Sequence, residues 1–150
     1  MALKLSADQL QAMQAHADRT YPNECCGLLL GQVQAEDKLL VTVRSVENAW
    51  NPALADSAEA TLTQSRRYSI APEAMLTAMR EARSHNLEVI GVYHSHPDNP
   101  AVPSECDRQQ AWPQYSYLIV SVPQGRAQEC RSWVLDDRHQ FLSEAIRLVS

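Results

Sequence analysis

Apolar residues recur at helical spacing near the start of the chain. The segment Ser6-Ala7-Asp8-Gln9 has the residue types of a capping box, in which Ser and Gln side chains satisfy backbone N–H groups at a helix start. Leu10, Met13 and Ala17 follow at intervals of three and four residues and form one apolar stripe. Pro22 marks the end of the pattern. The sequence therefore predicts a first helix between Ser6 and Pro22.

A second helix is predicted farther along the chain. Pro72 is a favoured first helical residue because it lacks an N–H that would be unpaired there in any case. Apolar residues then recur with the helical period, at Met75, Ala78, Met79 and Ala82. A third, shorter helix is predicted over 103–112.

Short apolar and β-branched runs predict the strands. We expect a buried strand over 25–30 that Gly31 ends, paired with 38–46. Further strands are predicted at 87–93, 117–122, 129–135 and 140–148, although the last also fits a terminal helix with Phe141, Ala145 and Leu148 on one face. Because helices and strands do not alternate strictly, the pattern favours an α+β fold over a doubly wound one.

Residues 48–67 have no clear period, and we interpret them as a long loop, a feature that is often functional within a compact domain. Asn48 and Trp50 stand at its start, and their placement at the border of a cleft is a hypothesis.

The length of 150 residues predicts one domain, 1–150. A hydrophobic fraction of 45% with 21% charged residues is typical of a folded globular chain.

The charge pattern excludes several classes of function. The net charge is -5 and no Lys/Arg cluster is present, so we expect no nucleic acid and no anionic membrane as partner. No segment contains a run of apolar residues close to the about 20 that are needed to span a bilayer. The N-terminus lacks the apolar core of a secretory signal, and we therefore expect a cytoplasmic protein. Four cysteines in such a chain do not indicate a disulfide framework.

The strongest chemical signal is His94-Ser95-His96-Pro97 followed by Ser104 and Asp107. Seven residues separate His96 from Ser104, and two separate Ser104 from Asp107. Side chains at i and i+2 share one face of a strand, so a strand that continues through the motif presents both imidazoles together. Imidazole nitrogens and a carboxylate oxygen are the ligands that catalytic zinc uses when one tetrahedral position stays open.

Structural explanations also exist for parts of this motif. Ser104-Glu105-Cys106-Asp107 fits a helix N-cap, so that Asp107 could serve the cap alone. A His-x-His pair often occurs without a metal. The complete spacing favours the metal site, because five constrained positions rarely coincide by chance.

The motif, together with Glu24 in Pro22-Asn23-Glu24-Cys25-Cys26-Gly27, resembles that of the JAMM (MPN-plus) zinc metallopeptidases, most closely the short single-domain prokaryotic type. The resemblance implies a mixed, curved β-sheet flanked by helices, similar to that of cytidine deaminases. It also implies one Zn²⁺ per chain, held by His94, His96 and Asp107. Glu24 is then the general base, and Ser104 donates a hydrogen bond to the oxyanion. Glu88 and Glu105 are the rival candidates for the base.

The same resemblance implies hydrolysis of a peptide or isopeptide bond. The expected partner is a ubiquitin-like or sulfur-carrier protein with an extended C-terminal tail, cleaved after its terminal glycine as a conjugate or a cysteine adduct. A non-catalytic scaffold of the same fold is the main alternative. A zinc deaminase is a weaker one, because its His-x-Glu and paired cysteines are missing. The sequence leaves the oligomeric state open, a homodimer included.

Overall fold

A computed structural model describes residues 1–51 and 67–150 of the chain. Most of the loop predicted at 48–67 lies outside the described residues. The helices are α1 (Ala7–Thr20), α2 (Pro72–Ser84) and α3 (Glu105–Gln110), with a 3-10 turn at Pro123–Gly125. The strands are β1 (Ala2–Leu5), β2 (Cys26–Gln34), β3 (Asp37–Val46), β4 (Glu88–Pro97), β5 (Ser116–Val122), β6 (Cys130–Leu135) and β7 (Phe141–Leu148).

The sheet closes into a barrel in the order β1-β3-β2-β4-β5-β6-β7. It is mixed, as predicted, because β4 and β5 run parallel whereas β2 is antiparallel to both β3 and β4. The sequence did not predict β1, which pairs in parallel with β3 and with β7 and so joins the two ends of the sheet. The family resemblance implied a curved sheet, and in this α+β fold the curved sheet closes completely.

The prediction that Gly31 ends the second strand is wrong. Strand β2 continues through Gly31 to Gln34 and stays paired with β3. The pairing register shifts between Leu30 and Gly31, and an added Cβ at Gly31 would lie 2.0 Å from the Leu39 carbonyl oxygen. Glycine is therefore required here by close backbone approach at a bulge rather than by a chain reversal.

The two longer helices begin as predicted and pack on opposite faces of the sheet. Ser6 and Gln9 form the capping box of α1, with the Gln9 N–H donating to Ser6 Oγ over 3.1 Å. Pro72 stands in the first turn of α2. Helix α1 packs through Met13 and Ala17 on a core that includes Leu29, whereas α2 packs on the neighbouring Leu28 and Leu30 side. Alternate side chains of β2 thus serve two cores.

Strand β4 carries the histidine motif in the middle of the sheet, between β2 and β5. It runs to Pro97 and is therefore longer than the predicted 87–93, because the His-x-His segment stays paired with β5. Every residue of β4 after Glu88 is buried. The alternative of a terminal helix is wrong, since residues 141–148 form β7. Among the described residues, no helix has the length and apolarity to cross a membrane.

We predict that Gly31→Ala destabilises the barrel by about 1–3 kcal/mol or more, because the new methyl group meets backbone that cannot rotate away. Val33→Ala on the same strand is the control, since Val33 is exposed and such changes stay within about 0.5 kcal/mol. Urea unfolding of both variants measures the difference. Equal stability of the two variants would contradict the assigned register.

Candidate metal centre

His94 and His96 project together from the end of β4. Their ring centroids are 4.9 Å apart, and their Nε2 atoms are 3.1 Å apart. The two side chains share a face because they alternate with Ser95 along the strand. His94 is fully buried and His96 nearly so. The strand therefore brings the two predicted ligand atoms to one point.

Asp107 reaches the same point from the first turn of α3. Its Oδ2 atom lies 3.1 Å from His96 Nε2 and 3.3 Å from His94 Nε2. The same carboxylate accepts the Ser104 N–H over 2.8 Å, and the Asp107 N–H donates to Ser104 Oγ over 3.1 Å. The helix cap and the histidine contact thus coexist, so the cap explanation does not exclude a metal ligand.

The three atoms have the spacing that a zinc ion requires. Ligand atoms about 2.0–2.1 Å from a tetrahedral zinc lie about 3.3 Å from one another. The Nε2, Nε2 and Oδ2 atoms form a triangle with edges of 3.1, 3.1 and 3.3 Å. Two imidazoles and one carboxylate also match the ligand types of catalytic zinc sites. The residues present therefore fit the metal that the family resemblance implies.

The environment of His96 favours the tautomer needed for coordination. Its Nδ1 atom lies 2.9 Å from the Pro100 carbonyl oxygen, which can only accept a hydrogen bond. In the neutral ring this places the proton on Nδ1 and leaves the lone pair of Nε2 facing His94 and Asp107. Histidine ligands commonly donate their second N–H to a backbone carbonyl in this way.

His94 is held by packing instead. The ring of Tyr68 stacks on it with centroids 4.4 Å apart and an interplanar angle of 22°. Among the described residues, Nδ1 of His94 has no hydrogen-bond partner. Tyr68 could not be predicted from the sequence, because its contact with His94 joins residues that are far apart along the chain.

Burial and the charges of neighbouring groups shift the pKa values of His94, His96 and Asp107 in different directions. Burial lowers the pKa of His94 despite the nearby Asp107. Burial also disfavours the charged form of His96, but the Asp107 carboxylate outweighs it and raises the pKa of His96. For Asp107, burial is outweighed by the two imidazoles, which hold its pKa well below the ordinary range. The centre therefore keeps an ionised carboxylate beside at least one neutral imidazole, which is a donor set suited to a cation.

Glu24 lies beside the triangle, in the segment between α1 and β2. Each of Glu24, His94 and His96 offers a ligand atom within 4.8 Å of the others. Glu24 is 5% exposed, and burial raises its pKa to about 8, with His96 and Arg67 acting in the opposite direction. A bound cation would favour the ionised form. Asp107 contacts both imidazoles directly, which leaves the Glu24 carboxylate as the candidate for proton transfer.

Three hydrogen bonds, formed by two pairs of residues, hold the Glu24 segment against the end of β4. The Cys25 N–H donates to Ser95 Oγ over 2.8 Å, and the Ser95 N–H donates to the Cys25 carbonyl over 3.1 Å. The Tyr21 hydroxyl donates to Asp98 Oδ2 over 2.7 Å. The residue between the two histidines therefore supports Glu24 rather than the ligands themselves.

The rival bases lie outside this cluster. Glu88 and Glu105 are both exposed, and Glu105 pairs with Arg108. All four cysteines lie in described parts of the chain and none forms a disulfide bond, and Cys25 and Cys26 are buried.

A cleft of about 230 Å³ opens onto the cluster. Ser104 is exposed and lines this cleft, so it is accessible to a substrate bound there. The lining residues are Glu24, His96, Pro97, Asn99, Pro100, Val102 and Ser104.

Proteins of known sequence resemble this chain over most of its length. A desampylase of Haloferax volcanii is 34% identical over 141 residues, which cover 90% of this chain and 90% of the relative. A CysO-cysteine peptidase of Mycobacterium tuberculosis is 28% identical over 136 residues, covering 90% of this chain and 84% of the relative.

Solved structures share the fold. A protein from Desulfitobacterium hafniense is 31% identical and superposes with a TM-score of 0.80 over 99% of this chain and 93% of its own. A JAB1/MPN domain protein from Archaeoglobus fulgidus superposes with a TM-score of 0.53 at 14% identity, over 97% and 96% of the two chains. The model of prokaryotic homologs of the JAB domain matches residues 6–136. The chain therefore belongs to the prokaryotic JAB-domain family.

Proposed function

We propose that this chain is a zinc metallopeptidase that hydrolyses a peptide or isopeptide bond after the C-terminal glycine of a ubiquitin-like or sulfur-carrier protein. The observation that carries the proposal is the convergence of Glu24, His94, His96 and Asp107 in one cluster, of which Glu24 and His96 line the cleft. The names of the relatives support the substrate class: desampylase, CysO-cysteine peptidase and probable TtuB-protein conjugate cleaving protease. The active unit is proposed to be the single domain 1–150.

In this proposal His94, His96 and Asp107 hold one zinc ion. Bound zinc is a Lewis acid that makes water a nucleophile near neutral pH and polarises a carbonyl group. The rigid pairing of β4 with β5 and the cap of α3 hold the three ligand atoms in place before the metal binds. Such preorganisation favours a high affinity for zinc and a fixed geometry of the ligands.

Glu24 is proposed as the general base. Its carboxylate accepts the proton of the attacking water and passes it to the nitrogen of the leaving amine, so that the C–N bond breaks to a neutral amine and a carboxylic acid. Its burial supports this role, because a pKa raised to about 8 suits a group that must both accept and return a proton.

Ser104 is proposed to stabilise the oxyanion. Its Oγ atom accepts the Asp107 N–H, which leaves the hydroxyl proton available for donation into the cleft. Pro97 and Pro100 line the same cleft. The scaffold alternative predicts lost ligand positions, whereas every ligand position is filled in this chain.

We predict that Glu24→Gln abolishes cleavage while zinc binding persists, because the amide keeps the shape of the side chain but cannot accept the proton. The assay uses a ubiquitin-like carrier protein joined through its C-terminal glycine to a peptide lysine. Glu88→Gln is the matched control, since Glu88 is exposed at the opposite end of β4 from the histidines. This variant should cleave the conjugate at the wild-type rate. Full activity of Glu24→Gln would remove Glu24 as the base.

We predict that Ser104→Ala lowers kcat by about 10²–10³, the usual effect of losing one oxyanion donor. The substitution also removes a helix cap, which costs about 0.5–2 kcal/mol of stability. Ser6→Ala is therefore the control, because Ser6 caps α1 with the same hydrogen bond and lies outside the cleft. If both variants lose the same small amount of activity, Ser104 acts only as a cap.

A further inference from the structure

Among the described residues, the carboxamide of Asn48 makes four hydrogen bonds to backbone groups from three parts of the chain. Its Oδ1 atom accepts the N–H of Trp50 over 3.1 Å and that of Ser69 over 3.2 Å. Its Nδ2 atom donates to the carbonyl of Glu24 and to that of Arg67, each over 3.1 Å. Both the oxygen and the nitrogen of the carboxamide thereby take part in hydrogen bonds.

Three of these bonds are long-range. Glu24 lies 24 residues before Asn48, and Arg67 and Ser69 lie 19 and 21 residues after it. The Ala49 N–H also donates to the Ser69 carbonyl over 2.9 Å. The side chain thus joins the two sides of the segment 52–66 to each other and to the proposed base.

The same contacts extend to a proposed ligand. Tyr68 stands between Arg67 and Ser69, whose backbone groups are both bonded to Asn48, and its ring stacks on His94 at 4.4 Å. Asn48 therefore fixes the backbone at Glu24 on one side and the residue that packs against His94 on the other.

We infer that Asn48 is a positioning residue that sets the placement of Glu24 and, through Tyr68, of His94. This inference rests on the proposed function for its effect on turnover. Only a side chain of this length with two donors and two acceptors can make all four bonds. Aspartate keeps the bonds to Trp50 and Ser69 but places a carboxylate against the carbonyls of Glu24 and Arg67.

The test compares Asn48→Ala and Asn48→Asp with Gln9→Ala. Gln9 is the matched control because its carboxamide also bonds backbone groups, at Ser6, Leu40 and Val41, but lies away from the cleft. Kinetics with the carrier–lysine conjugate give kcat and KM, and zinc content is measured for each variant. Amide hydrogen exchange followed by NMR reports on the N–H groups of Trp50 and Ser69 without requiring activity.

We expect kcat to fall about 10–100-fold in both Asn48 variants, with KM nearly unchanged, because supporting contacts of a metal centre typically contribute that much. Asn48→Ala should speed exchange at Trp50 and Ser69, whereas Asn48→Asp should keep their protection and still lose turnover. Gln9→Ala should lower the unfolding temperature without lowering kcat.

Two results would overturn the inference: wild-type kcat in Asn48→Ala, or an equal loss of kcat in Gln9→Ala, which would indicate general destabilisation. A wild-type chain that binds zinc but cleaves no conjugate would contradict the proposed function instead. In that case the exchange data decide alone, and unchanged protection at Trp50 and Ser69 in Asn48→Ala would refute the positioning role.

Discussion

Three electron-rich side-chain atoms meet in a buried position at the end of β4, and the local structure around them follows from this constraint. The Nε2 atoms of His94 and His96 and the Oδ2 atom of Asp107 lie within 3.3 Å of one another. Such a group is unfavourable to bury unless its charge and lone pairs are satisfied. Packing against Tyr68 holds His94, the Pro100 carbonyl holds His96 and the helix cap holds Asp107, so the arrangement is preorganised for a cation.

The convergence of His94, His96 and Asp107 could be predicted because each part depends on local geometry, whereas their role as metal ligands remains a prediction. Residues at i and i+2 of a strand share a face whatever the rest of the fold does, which fixes His94 and His96 as a pair. The spacing of Ser104 and Asp107 specifies a capping box, and the structure gives that cap a second contact with both imidazoles. The capping and metal explanations of Asp107 were therefore not exclusive. The roles of the residues in catalysis remain predictions.

Features that depend on distant parts of the chain could not be predicted in this way. The short strand β1 carries no period of its own, and its pairing with β3 and β7 is a property of the closed sheet. Gly31 looked like a strand end because glycine often ends one, whereas the close approach of the Leu39 carbonyl explains it. Asn48 and Tyr68 act across long sequence separations, and a single sequence contains no signal for such contacts.

Metal content of the purified chain tests the central claim most directly. Elemental analysis after dialysis should give about one zinc per chain for the wild type and for His85→Ala, whose histidine is exposed outside the cluster. His96→Ala should lose the metal, because it removes one of the three proposed ligands. Little or no zinc in the wild type, even after the ion is added back, would contradict the proposed centre and the peptidase chemistry built on it.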